Sequence, residues 1–151
     1  MVSKDEMIVF FRSEFPQARY VIEDFTDDSV VVRHQVGEQD LRPGGTVSGP
    51  TMMALADTAL YVALLREIGL VPLAVTTSLN FNFLRKPVAD RDLLAECKLL
   101  KRGKTLAVGE VSICSEGDEA PVAHATGTYS IPPDRRSWRT LATDLSLQKP
   151  L

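Results

Sequence analysis

The sequence predicts an α+β domain, a curved antiparallel sheet of about six strands wrapped around one long apolar helix. Three observations predict it. From Thr51 to Ile68 the chain has no proline or glycine and is apolar nearly all round until Arg66 and Glu67, which is the pattern of a buried helix rather than an amphipathic surface one. Two strand-like runs precede this helix and four follow it without a helical pattern between them, so the strands pair as neighbours and not through βαβ crossovers. Finally, an all-apolar helix needs cover on every side, and one sheet curled around it supplies most of that cover. Such a sheet still has open edges, and open edges are commonly closed by a second subunit.

In chain order, Ser3-Lys4-Asp5-Glu6 reads as a capping box that starts a short helix. Met7, Ile8, Phe10, Phe11 and Phe15 fall largely on one face of it, and Pro16 ends it, so it packs as a lid on the body. Tyr20 to Phe25 and Ser29 to Val36, rich in Val, Ile and aromatics, flank the turn Thr26-Asp27-Asp28 and form a hairpin. A polar connector from Gly37 to Gly45 leads to the long helix. Ser48 is its N-cap, Pro50 sits in its first turn where an N–H is dispensable, and Gly69 stops it. Ala74 to Leu84 alternates, with Val75, Thr77, Leu79, Phe81 and Phe83 on one face and Thr76, Ser78, Asn80 and Asn82 on the other. Leu93 to Lys101, Thr105 to Ser115 and Ala120 to Ile131 are the remaining strands. Lys101-Arg102-Gly103-Lys104 forms a tight basic turn with Gly103 at positive φ. Residues 1–136 make a single domain, and 137–151 a polar C-terminal extension, on the surface or partly disordered.

The bulk properties exclude several function classes. The 151 residues suit one domain, and 44% hydrophobic with 25% charged residues is ordinary for a soluble globular protein. A net charge of −3 gives no general attraction to nucleic acid or an anionic membrane. No run approaches the ~20 apolar residues that span a bilayer, and no secretory h-region opens the chain. Cys97 and Cys114 stand far apart in strand-like runs and read as buried thiols of a reducing compartment, so the expected location is the cytoplasm. No metal-ligand cluster or nucleotide-binding glycine motif appears.

Asp57 is the residue that asks for an explanation. It lies two turns into the apolar helix, and its neighbours three and four residues away are Met53, Ala54, Leu60 and Tyr61, none of them a cation. Burying an unpaired carboxylate is costly, so such an acid is either a hydrogen-bonded core residue or a working one.

Four segments, in order and at matching spacing, carry a resemblance. They are Gly45-Thr46-Val47-Ser48-Gly49-Pro50 with Leu55-Ala56-Asp57-Thr58-Ala59; Thr76-Thr77-Ser78-Leu79-Asn80-Phe81-Asn82-Phe83-Leu84-Arg85; Lys101-Arg102-Gly103-Lys104-Thr105-Leu106-Ala107; and Ala123-His124-Ala125-Thr126-Gly127-Thr128-Tyr129. Together they resemble the hotdog-fold thioesterases, in particular the PaaI-like acyl-CoA thioesterases, over about residues 30–131. The resemblance implies hydrolysis of acyl-CoA, with sites at the interface of a homodimer and two dimers pairing into a homotetramer. It implies that Asp57 activates water or attacks the thioester carbonyl, that the Gly49 N–H polarises that carbonyl, and that Thr76, supplied by the other subunit, helps place the water. No cofactor is implied beyond the CoA of the substrate. At 1.5 Å per residue Asp57 is about 12 Å along the helix from Gly49, too far for one substrate atom to touch both in one subunit, which agrees with a shared site.

Two departures from the family stand out. Ser48-Gly49-Pro50 replaces the usual His-Gly-Gly, and Arg42 stands where Asn is common. Arg42 is suited to holding a carboxylate or phosphate, while Ser48 has a plain capping role open to it. The phosphates of CoA would meet the basic clusters that include Arg85, Lys86, Arg102 and Lys104, with the acyl chain toward Met52, Met53 and Tyr61. The missing His leaves a second reading, a non-catalytic acyl-CoA binding protein on the same scaffold. A hotdog hydratase ranks last, because neither His34 nor His124 lies in the required Asp/His setting.

Overall fold

The computed structural model describes residues 1–144. Helix α1 (Lys4–Glu14) opens with the expected reciprocal cap: Glu6 N–H donates to Ser3 Oγ at 3.1 Å, and Ser3 N–H to Glu6 Oε1 at 3.4 Å. Strands β1 (Tyr20–Phe25) and β2 (Val30–His34) form the hairpin. A single 3-10 turn at Glu38–Asp40 and a two-residue hairpin, β3 (Leu41–Arg42) with β4 (Thr46–Val47), were not expected from the polar connector. Gly44 and Gly45 turn that hairpin at φ 95° and 79°, a region that side chains with a Cβ avoid.

Helix α2 (Gly49–Ile68) is followed by β5 (Val75–Phe83), β6 (Leu93–Arg102), β7 (Leu106–Ser115) and β8 (Ala123–Ser130). The six long strands make one antiparallel sheet in the order β1-β2-β6-β7-β8-β5, with α2 packed across it. The 3.6-residue and two-residue periods of the sequence thus meet in one core, where Leu55, Leu60, Leu64 and Leu65 of α2 face Val32, Ala95, Val111 and Ile113 of the sheet.

Leu60 shows how closely helix and sheet meet. Gly109 of β7 and Gly127 of β8 are partners across the ladder. A Cβ on Gly109 would come 2.7 Å from Leu60 Cδ2, and one on Gly127 2.5 Å from Leu60 Cδ1. The paired glycines leave the hollow that Leu60 fills, and so set where α2 rests.

Three expectations are corrected. First, α2 is not covered all round: Met53 is 40% exposed, Ala54 is exposed, and Asp57 and Thr58 are half-buried. The uncovered stripe lies beside β5, an edge strand on which Val75, Phe83 and the following Leu84 are more than half exposed. Second, Gly103 is not at positive φ; its N–H donates to Leu106 O at 2.8 Å within the β6–β7 turn. Third, the first part of the C-terminal extension is built into the body. Ser137 caps α3 (Trp138–Ala142), Trp138 N–H donates to Leu70 O at 2.9 Å, its ring stands edge-on to Phe10 at 5.7 Å, and Leu141 is buried. The rest of that extension, 145–151, lies outside the described residues.

Candidate active site

Asp57 projects from the uncovered stripe of α2 toward the end of the sheet where β8 and β5 meet. Thr76 Oγ1 donates to Asp57 Oδ1 at 2.5 Å, and Tyr129 Oη donates to the same oxygen at 2.8 Å. Tyr129 Oη also lies 3.0 Å from the backbone carbonyl oxygen of Asp57. Two hydroxyls therefore supply what the helix itself does not, hydrogen-bond donors to a carboxylate with no cation three or four residues away.

Thr76 reaches this position through a bulge. Strict alternation puts Thr76 with Ser78, Asn80 and Asn82 on the polar outer face. The β5–β8 register shifts between Thr76 and Ser78, so Thr76 pairs with Tyr129 while Leu79 pairs with Gly127 and Phe81 with Ala125. One extra residue, Thr77, changes the parity of the strand and turns Thr76 onto the helix side. Thr77 spends its own hydroxyl on Thr128 O at 3.2 Å. The sequence reading brought Thr76 from a second subunit; within one chain it already holds Asp57.

Tyr129 belongs to the closing motif of the sequence, where no spacing marks it as a site residue. The available signal was a lone large phenol in a strand of otherwise small residues. It is 5% exposed, and burial pushes its phenol well above the ordinary range; the Thr76 hydroxyl opposes this, and the Asp57 carboxylate adds to it. Tyr129 therefore stays protonated and remains a donor at neutral pH.

A cavity of about 380 Å³ opens beside this cluster, lined by Asp57, Thr58, Thr76 and Tyr129 on its polar side and by Phe11, Phe15, Tyr20, Tyr61 and Val75 on its apolar side. Phe11 and Phe15 come from the end of α1, so the lid is also a wall of the cavity. Tyr61 donates to Pro72 O at 3.1 Å, and burial pushes its phenol up to about 12. Phe11, Phe15 and Tyr20 also line a second cavity of about 280 Å³ under α1, with Ile8, Ile22 and Arg12.

Of the other expected site residues, Tyr61 joins Asp57 and Thr76, and the rest lie elsewhere. Met52 is in the core at 4% exposure and Met53 faces outward, so neither lines the cavity. Ser48 is the N-cap of α2, with Thr51 N–H donating to its Oγ at 3.3 Å. Gly49 begins the helix; a Cβ there would come 3.1 Å from Phe83 Cζ, so in one chain its bare face is packed by β5. Arg42, Arg85, Lys86 and Lys104 are exposed, and Arg102 stands 3.8 Å from Glu67.

The helix entry is braced by a second cluster. Asp40, 7% exposed, takes hydrogen bonds through Oδ2 from Arg19 at 2.6 Å and the Gly37 N–H at 2.9 Å, and its carbonyl takes one from Ser48 N–H at 2.7 Å. His34 Nε2 lies 2.9 Å from Oδ2, off the line of a well-directed hydrogen bond. Burial pushes the Asp40 carboxyl up, but the Gly37 amide, His34 and Arg19 outweigh it and hold it below the ordinary carboxylate value.

An antiparallel sheet of six strands packed on one long helix is the hotdog thioesterase fold. The thioesterase superfamily model matches residues 44–122, and the chain belongs to that superfamily of thioester hydrolases. Among solved structures, a protein from Silicibacter sp. TM1040 to which thioesterase activity is ascribed is 47% identical, with a TM-score of 0.81 over 88% of this chain and 94% of that one. Two more distant structures share the fold. Zebrafish thioesterase superfamily member 2 is 22% identical, with a TM-score of 0.76 over 87% of this chain and 100% of that one. The E. coli PaaI protein of the phenylacetic acid degradation operon is 23% identical, with a TM-score of 0.72 over 85% and 91%. Comparison with curated proteins found no match. No helix among the described residues is long and apolar enough to cross a membrane.

Proposed function

We propose that this protein hydrolyses acyl-CoA thioesters to a free acid and CoA, with Asp57 as the general base or nucleophile. The observation that carries this reading is the Asp57 carboxylate, half-buried and held by two hydroxyls at the polar side of an aromatic cavity. As a base, Asp57 takes a proton from water, the water oxygen adds to the thioester carbonyl carbon, and the C–S bond breaks. The leaving thiolate then takes up the proton. Negative charge builds on the carbonyl oxygen during the addition. Pro50 has no N–H and the Thr51 N–H is taken by Ser48, so the Gly49 N–H, at the positive end of α2, is the donor suited to that oxygen.

Asp57 and Gly49 serve one substrate only if two chains cooperate, and β5 offers the means. It is a sheet edge whose exposed apolar residues adjoin the uncovered stripe of α2. An antiparallel pairing with β5 of a second copy would set the Phe83 end of one strand beside the Thr76 end of the other. Phe83 rests on Gly49, so the second helix start would approach Asp57. A homodimer with two such sites is the assembly this reading requires, and pairing of two dimers into a tetramer is compatible with it. The exposed Arg42, Arg85, Lys86 and Lys104, with Arg102, would then meet CoA phosphates, and the reaction uses no cofactor beyond the CoA of the substrate.

Asp57→Asn tests the reading. It keeps the size of the side chain and is expected to fold as the parent does while losing hydrolysis of a panel of aliphatic and aromatic acyl-CoAs by several orders of magnitude, followed with a thiol dye. Hydrolysis at the parental rate would refute it. Ser48, in place of the family's His and spent on capping, favours one rival, an acyl-CoA binding protein without turnover. Calorimetric CoA binding by a parent chain that releases no thiol would select that rival.

A further inference from the structure

We propose that Tyr129 is a positioning residue: with Thr76 it occupies Asp57 Oδ1, so that Oδ2 is the oxygen that acts on water or on the thioester carbonyl. The inference rests on the reading of Asp57 given above and goes beyond it by saying which carboxylate oxygen works and what makes the two oxygens unequal.

The geometry is one-sided. Both hydroxyl donors, at 2.5 and 2.8 Å, converge on Oδ1. They arrive from different strands, Thr76 from β5 and Tyr129 from β8, at positions that are direct partners across the ladder. A carboxylate with both donors on one oxygen is pinned about its last torsion, which is otherwise broad and two-fold. The oxygen that receives two charge-assisted hydrogen bonds has its lone pairs engaged. The other oxygen keeps its lone pairs, on a side chain that lines the cavity.

The two hydroxyls are not equivalent. Thr76 is exposed, and having donated its proton to Oδ1 it can still accept one from a water in the cavity. Tyr129 is walled in by the core, and its ring lies 6.1 Å from that of Tyr61. Its single proton has two acceptors, Oδ1 and the carbonyl oxygen, both belonging to Asp57. Tyr129 is thus tied to Asp57 at side chain and backbone together. A phenylalanine would fill the same apolar space, so packing alone does not call for the hydroxyl.

Tyr129→Phe tests this in two independent ways. In a crystal structure of the variant, the Asp57 carboxylate is expected to turn or to occupy two orientations; a carboxylate fixed as in the parent overturns the proposal. In kinetics, kcat is expected to fall about ten- to hundredfold, the loss of one hydrogen bond to a charged group, with KM within about twofold. A variant of unchanged kcat whose only defect is a lower melting temperature has lost a structural hydroxyl, and that too overturns it. Combined with Thr76→Val, Tyr129→Phe is expected to lose less than the product of the single losses, because both hold one oxygen; a full product overturns the shared clamp. A turned carboxylate in a chain whose parent releases no thiol from any acyl-CoA would support the clamp and refute the proposed function, so the two claims fail separately.

Discussion

Gly127→Ala is a one-carbon test of how helix and sheet fit. The added methyl would lie 2.5 Å from Leu60 Cδ1, with Leu79 Cδ1 at 3.3 Å and the Ser78 carbonyl oxygen at 3.4 Å. Contact carbons prefer about 3.5–4.0 Å, so about 1–1.5 Å must be found. Leu60 is 2% exposed and also faces Gly109 across the ladder, where an added Cβ would have 2.7 Å, so its side chain has no empty side to turn into. Overpacking of this kind costs about 1–3 kcal/mol, and removing glycine flexibility from a strand returns roughly 0.5–1. The net expectation is a destabilisation of about 1–2 kcal/mol, or a melting temperature lower by roughly 2–8 °C at this size. Leu60→Ala alone opens a cavity and costs about 2–5 kcal/mol. In the double variant the new methyl enters that cavity, so the cost should stay close to that of Leu60→Ala, a coupling of about 1–2 kcal/mol. Urea unfolding of the four proteins at one concentration measures it. Additivity within about 0.5 kcal/mol would refute the claim that the glycine pair seats Leu60. Gly127 and Tyr129 share a face of β8, so Gly127→Ala should also lower kcat by shifting Asp57 against its two hydroxyls.

The remaining predictions concern pH, substrate size and assembly. The Asp40 carboxyl is held below its ordinary value of 3.8, so it contributes stability that is present above that value and lost as pH falls through the lower, folded-state value. Asp40→Asn is therefore expected to be less stable than the parent by about 1.5–3 kcal/mol at pH 7, with the gap closing below about pH 4 in acid titrations of unfolding. A gap that is flat across that range would refute it. Phe15, with Phe11 and Tyr20, lines both cavities; Phe15→Ala should widen the space between them and raise kcat/KM for longer acyl chains relative to short ones, and an unchanged ranking would count against this wall. Leu84→Asp adds a charge beside the open β5 edge, where Leu84 is 54% exposed. It should shift sedimentation toward the monomer and reduce hydrolysis with Asp57 intact, and a stable, active dimer would argue for a different interface.

Local patterns determined much of this protein. Ser3 with Glu6, and Ser48 with Pro50 and Gly69, mark helix ends through groups only a few residues apart, so the bounds of α1 and the start and stop of α2 were legible before any packing was known. The same holds for the six strands, runs set off by turns and in Ala74 to Leu84 alternating every second residue, and for Asp57, conspicuous as a lone acid in an apolar helix. Family likeness then named the chemistry. The tertiary structure decided what pairing across long separations creates. Thr76 faces the helix only because the register with β8 slips at Thr77, and a slip is a property of two strands, not one. Tyr129 meets Asp57 across 72 positions of chain, with no spacing rule to announce it. The bare stripe on α2 and the open edge of β5 follow from strand order, in which β5 lies outermost beyond β8. Short-range signals say which element a residue joins; which residues come to share a site depends on contacts that form only when the elements close on one another.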